Sequence, residues 1–145
     1  MAIVRFYDKS CTPGGKLRYS VISARFKGKW IFVRNSMRST WEICGGHIEE
    51  GESPDETARR ELMEETGSQK FSLECVATYS VEKDGITGYG RLYFAEVTVL
   101  GSIPEGSEIA ERIMGDELPE NLTYPDIQPE LFSKILSWLR QEQRV

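Results

Sequence analysis

The sequence predicts an α+β fold in a single domain, and three observations carry that expectation. A length of 145 residues and a mass of 16.5 kDa suit one core. Hydrophobic residues make up 39% and charged residues 28%, which supplies that core and keeps it soluble. Strand-like runs broken by turn residues fill the first forty residues and the stretch 71–100, whereas 53–66 and 129–143 carry helical signals.

Residues 4–7 are a short apolar run, and Pro13-Gly14-Gly15 is turn chemistry. Residues 17–26 and 30–33 flank Lys27-Gly28-Lys29 as a hairpin would. The stretch 71–81 alternates, so Phe71, Leu73, Cys75, Ala77, Tyr79 and Val81 are expected on one face. A second long strand is expected over 91–100, with Gly85 and Gly88 in the turn between the two.

The first helix is well punctuated. Ser53 is the expected N-cap, Pro54 the first helical residue, Glu56 completes a capping box, and Gly67 stops the helix. The second helix places Phe132, Ile135, Leu136 and Leu139 at helical spacing, which makes it a packing element. Residues 101–129 are irregular, with at most one short strand expected around 112–114.

Charge narrows the function. Against 18 Lys and Arg stand 23 Asp and Glu, a net charge of −5, with no basic run, so duplex nucleic acid and anionic membrane are not expected partners. An acidic protein that binds a polyphosphate must bring a cation with it. Three separated cysteines and one histidine, His47, give neither a disulfide framework nor a zinc site. The opening residues lack a leader's apolar stretch and no run reaches the length of a membrane span, so a reduced, cytoplasmic protein is expected.

The chemically informative stretch is Gly45-Gly46-His47-Ile48-Glu49-Glu50-Gly51-Glu52 followed by the first helix. On that helix Glu61, Glu64 and Glu65 share an arc of about 100°. Ala58, Leu62 and Thr66 form the neighbouring stripe that can dock on a sheet. Like charges at these spacings repel by a few tenths of a kcal/mol per pair, roughly. Such a face is either simply solvated or a site for a hard cation, whose preferred ligands are oxygens and which in turn bridges phosphates.

Gly46, Glu52, Arg60-Glu61-Leu62, Glu64-Glu65 and Gly67, in this spacing, resemble the signature of the Nudix hydrolases. The residue after the last glycine is Ser68, where the family usually has an aliphatic one, and Cys44 stands where proline is frequent. The resemblance covers the chain in outline and is specific over residues 41–67. It implies an α/β/α sandwich with a mixed, partly barrel-like sheet. It also implies hydrolysis of a nucleoside diphosphate linked to another group, with Mg²⁺ or Mn²⁺ as cofactor.

The same resemblance suggests roles. Glu61, Glu64 and Glu65 would be metal ligands, joined by the Gly45 carbonyl and by a carboxylate outside the motif, Glu108 or else Glu111. Arg60 would pair with Glu52 to orient the site. Arg34, Arg38 and Asn121 would touch substrate, Asn121 by reading an oxidised purine, while His47 is expected to be a solvated loop residue. The favoured substrate is a nucleoside triphosphate, including an oxidised purine such as 8-oxo-dGTP, cleaved to monophosphate and pyrophosphate. The alternatives are an ADP-ribose or nucleotide-sugar pyrophosphatase and a non-catalytic nucleotide sensor.

Overall fold

The structure is a computed structural model and describes residues 1–144. Its elements are β1 (Ile3–Tyr7), β2 (Leu17–Phe26), β3 (Lys29–Asn35), β4 (Cys44–His47), α1 (Pro54–Thr66), β5 (Ser68–Lys83), β6 (Ile86–Leu100), β7 (Ile109–Gly115) and α2 (Gln128–Gln141). The strands form one mixed, open sheet in the order β1-β5-β6-β2-β3-β7, with β4 added against β2.

Strand β2 organises the sheet. One edge runs parallel to β6 along its length. The other edge is shared, for β4 pairs with Tyr19 to Ile22 and β3 with Arg25 and Phe26. The sheet therefore forks, and β3 continues into an antiparallel pair with β7 on the far side of the fork.

The helices cover opposite faces, as the α/β/α expectation requires. Along β3, Trp30 and Phe32 point toward α2, whose Leu131, Phe132, Ile135 and Leu139 share their core cluster. Ile31 points the other way, into the cluster that Ala58 and Leu62 of α1 build with Ile22, Cys44 and Tyr93. Strand β6 divides in the same manner, Leu92 and Phe94 against Tyr93, Ala95 and Val97. This period-two alternation of large apolar residues is what lets one sheet bury both faces. Leu62 is fully buried, so Leu62→Ala would cost about 2–5 kcal/mol.

Helix α1 has the expected ends. Ser53 Oγ accepts the Glu56 N–H and the Glu56 side chain accepts the Ser53 N–H, closing the capping box. Gly67 adopts φ +77° at the other end, a conformation that costs a side-chain-bearing residue energy. The Arg112 guanidinium from β7 donates to the Thr66 and Gly101 carbonyls, so a strand across the fork caps the helix. The lone strand expected in the irregular region is thus β7, longer than anticipated and structurally committed.

Two expectations need correction. Strand β5 does not keep Phe71 through Val81 on one face, because its register against β6 shifts between Cys75 and Ala77. Phe71, Leu73 and Cys75 pack toward α1, while Ala77, Tyr79 and Val81 pack toward α2. A bulge inserts one residue, and with a period of two this exchanges the faces. The turn before β6 is Asp84-Gly85, and Gly88 lies within the strand opposite Val81. No helix among the described residues is long and apolar enough to cross a membrane.

Candidate active site

The site forms where α1 passes over β4. Antiparallel pairing with β2 holds Gly45 and Gly46 in the sheet, and the buried stripe of Ala58, Leu62 and Thr66 fixes the roll of the helix above them. The roll of the helix in turn aims Glu61 and Glu65 at the two glycines.

Arg60 gathers most of the carboxylates. Its Nε–H and Nη2–H donate to Glu52 at 2.7 and 2.9 Å, a two-point grip. Its Nη1 lies 2.6 Å from Glu61 and 3.3 Å from Glu64, and Nη2 lies 3.3 Å from the more exposed Glu49. Thr57 Oγ1 donates to Glu52 at 2.8 Å. Hydrogen bonds from Arg60 and Thr57 hold the Glu52 carboxyl down to about 2. The Arg60–Glu52 pair expected from the spacing is present.

Glu65 turns away from Arg60 and accepts the Gly45 N–H at 3.0 Å. Burial pushes its carboxyl up to about 8, the Gly45 bond opposes this, and the charges of Glu61 and Glu42 reinforce it. Glu61 is also raised, first by burial and then by Glu64 and Glu108, against the pull of Arg60. Two desolvated, mutually repelling carboxylates stand side by side.

Among the described residues no three acidic, cysteine or histidine side chains converge on one point, because Arg60 draws Glu52, Glu61 and Glu64 to itself. The donor set still fits a hard divalent cation. It is all oxygen, crowded and partly desolvated, and a dication is the charge that would favour the ionised form of Glu61 and Glu65.

Arg60, Glu61 and Glu65 border a cleft of about 820 Å³, whereas Glu52 and Glu64 are not part of its lining. At its acidic end lie Glu42, Glu61, Glu65 and Glu108 with Gly45 and Gly46, and the rest of the wall mixes apolar residues, including Val21, Tyr79, Val81, Ile127 and Leu131, with Asn35, Arg38, Lys83 and Asp84. A cleft of this volume, with apolar surface beside charged groups, suits a small ligand with an anionic end.

The other expected residues separate. Arg38 lines the cleft, bonded to Glu42 at 2.9 Å and to the Tyr124 hydroxyl at 3.3 Å. Glu108 lines it too, whereas Glu111 is committed to Arg34. Arg34 is not brought to the cleft. Its Nε and Nη2 each lie 3.1 Å from Glu111, Nη1 donates to the Arg38 carbonyl, and it borders a separate shallow depression. Nor is Asn121, whose Nδ2 donates to the Ser39 carbonyl and whose own carbonyl accepts the Trp41 N–H. That residue stitches two loops together. His47 borders the cleft with its ring tilted against Tyr19, centroids 4.7 Å apart.

Several cleft residues escaped the sequence, among them Asn35, Lys83, Tyr124, Glu42 and Gln128. Glu42 had a weak signal, an acidic residue just ahead of the Gly-Gly pair. Gln128 had none, since the helix was expected to start one residue later.

A carboxylate-bearing helix docked on a Gly-Gly strand, between the layers of an α/β/α sandwich, defines the class as a Nudix-type fold and motif. A NUDIX domain model matches residues 15–118, and the chain belongs to that family. It is 33% identical over 102 residues to YtkD of Bacillus subtilis (strain 168), provisionally named an 8-oxo-dGTP diphosphatase, covering 70% of this chain and 64% of YtkD. It is 28% identical over 137 residues to the RNA pyrophosphohydrolase of Sulfurovum sp. (strain NBC37-1), covering 86% of this chain and 83% of that protein. Among solved structures, the Bacillus subtilis pyrophosphohydrolase BsRppH superposes with a TM-score of 0.75 at 24% identity, over 92% of this chain and 90% of that one. A UDP-X diphosphatase superposes with a TM-score of 0.73 at 22% identity, over 92% and 67%. At these identities the structures establish the shared fold.

Proposed function

We propose that this protein is a pyrophosphohydrolase that converts a nucleoside triphosphate and water to the monophosphate and pyrophosphate, with a divalent cation as cofactor. The observation that carries this is the position of Glu61 and Glu65, crowded and desolvated at the anionic end of a cleft that also offers apolar surface. A polyphosphate repels an attacking water, so a catalyst must neutralise charge and hold that water in line. Glu61, Glu64 and Glu65, with the Gly45 carbonyl and Glu108, would hold Mg²⁺ or Mn²⁺, which supplies that neutralisation and a more acidic water.

The remaining work falls to the chain. Glu52 anchors Arg60, and Arg60 sets the angle of Glu61 and Glu64. Arg38 supplies a cation at the cleft for the phosphates, and the apolar wall takes the base and excludes water from the anionic end. An oxidised purine nucleotide is the finer reading, supported by the name of YtkD. Three free cysteines suit a cytoplasmic setting.

The test is a substrate panel with Mg²⁺, read by product identity. It holds nucleoside triphosphates, 8-oxo-dGTP, ADP-ribose, a nucleotide sugar and RNA with a 5′-triphosphate, the last because of the name of the Sulfurovum relative. Monophosphate and pyrophosphate from a free triphosphate are expected. Cleavage of ADP-ribose alone would replace this reading with its alternative, and tight binding without turnover would make the protein a sensor.

A further inference from the structure

Cys44 is fully buried and belongs to the core cluster beneath α1, with Ile22, Ala58 and Leu62. Among the buried members of that cluster, only Cys44 and Tyr93 carry a side-chain group able to hydrogen-bond. Tyr93 gives its hydroxyl to Asp55 at the start of α1. Cys44 serves the other end, where its Sγ–H donates to the Glu61 carbonyl at 3.6 Å and also reaches the Glu65 carboxylate. The next residue of β4, Gly45, donates its N–H to that same carboxylate at 3.0 Å. Arg60 draws in Glu52, Glu61 and Glu64 but not Glu65, so β4 holds Glu65 instead. Cys44 is not part of the cleft's lining, whereas Glu65 is.

A carboxylate offers about four acceptor positions. Two donors from consecutive residues restrict how it can turn and leave positions open to the cleft. We propose that Cys44 is a positioning residue for the hydrolysis, its thiol holding the Glu65 carboxylate in the orientation in which it meets the cleft. The inference rests on the hydrolase reading of the site. A proline, frequent at this place in Nudix hydrolases, has no side-chain donor, so the residue the family usually has there does not supply this hold. A thiol is a weak donor, and its contribution lies in direction. With the thiol gone, Glu65 keeps only the Gly45 N–H and can swing, and a displacement of about 1 Å is enough to slow catalysis.

The experiment measures kcat, KM and melting temperature for Cys44→Ala and Cys44→Ser, with Cys75→Ala as the control, a truncation of a cysteine packed against the same core cluster. Cys44→Ala should lower kcat on the order of three- to tenfold, the scale of one net hydrogen bond, with KM unchanged. Cys44→Ser keeps a donor and should recover most of that loss, while Cys75→Ala should lower the melting temperature and leave kcat alone. The infrared S–H stretch of Cys44 gives a readout that needs no substrate, its band identified by its loss in Cys44→Ser. At alkaline pH, where Glu65 carries its charge and burial keeps the Cys44 thiol protonated, the band should move to higher frequency in Glu65→Gln, because a carboxamide is the weaker acceptor. A kcat unchanged in folded Cys44→Ala, a kcat that follows the melting temperature across the three variants, or a band indifferent to Glu65→Gln overturns the inference while leaving hydrolysis standing. A band that moves, in a protein that turns over no triphosphate, keeps the hold of Cys44 on Glu65 and removes the hydrolase. Neither a moving band nor turnover removes both.

Discussion

The carboxylate of Glu61 rests on Gly46. A Cβ built on that glycine would lie 2.5 Å from Glu61 Cδ and 2.7 and 2.8 Å from its two oxygens, far inside contact distance. The glycine is required by what lies above it. Gly46→Ala should push the Glu61 carboxylate out of place while the β2–β4 ladder persists. We expect kcat to fall on the order of tenfold or more, the scale for a misplaced catalytic group, with the far-UV circular dichroism spectrum unchanged. Full activity would mean that Glu61 need not sit there.

Glu65 should leave a signature in stability. Its carboxyl, ordinarily near 4.5, is raised to about 8 in the fold. In that window the folded state binds more protons than the unfolded state, so stability is highest below pH 4.5 and falls as pH climbs toward 8. Glu52 acts oppositely, for its carboxyl is lowered to about 2 and its contribution is lost only as pH falls below 4.5. The two windows do not overlap. Thermal melts in EDTA should show the decline between pH 5 and 8, and Glu65→Gln should flatten it. The same variant should lose about 10²-fold in kcat, the scale of one lost electrostatic stabiliser.

Chelation separates activity from folding. The two core clusters hold neither Glu61, Glu64 nor Glu65, so EDTA should abolish turnover while the melt stays cooperative. Mg²⁺ should restore activity and raise the melting temperature most at alkaline pH, where Glu65 is ionised. Turnover persisting in excess EDTA would remove the metal mechanism.

Arg60 cannot be replaced by another cation. Glu52 is gripped at two points and Glu61 and Glu64 are drawn in by the same planar group, which a point-charge ammonium cannot match. Arg60→Lys should lower kcat roughly tenfold with little change in KM. Glu49→Gln, at an exposed side chain 3.3 Å from Arg60, should change kcat less than about twofold, the scale of a surface ion pair. Equal losses in both would place the site around Glu49 instead.

The local grammar of the chain was legible wherever one residue decides one bond. Ser53, Pro54, Glu56 and Gly67 bounded α1, and a spacing of eight linked Arg60 to Glu52. What could not be read depends on pairing between distant strands. The face exchange in β5 comes from a register shift against β6, which leaves no mark on the alternation itself. Glu42 and Gln128 reach one cleft only because the Ile43 N–H meets the start of α2, 85 residues away in sequence. Asn121 shares a loop-rich segment with true cleft residues, yet its side-chain amide donates to the Ser39 carbonyl and its backbone carbonyl accepts the Trp41 N–H, both some eighty residues away in sequence, which holds it outside the cleft.

The same distinction decides between the two arginines that precede the motif. Both were expected to touch phosphate, being close in sequence and of like charge. A triphosphate brings about four negative charges and needs cationic help beyond the metal, but only a guanidinium that faces the cleft can give it. Arg34 is held by Glu111 through two nitrogens and by the Arg38 carbonyl, outside the cleft. Arg38 borders the cleft, and its partner Glu42 also bonds Thr123, so phosphate can draw the guanidinium away without orphaning that carboxylate. Arg38→Ala should therefore raise KM for a triphosphate several-fold, by about 1 kcal/mol for one partly exposed charge-assisted bond, with kcat nearly unchanged. Arg34→Ala should leave both constants alone and lower stability slightly by freeing Glu111. Steady-state kinetics on the two variants decide the matter, and a KM effect confined to Arg34→Ala would move the phosphate site across the β3–β7 pair.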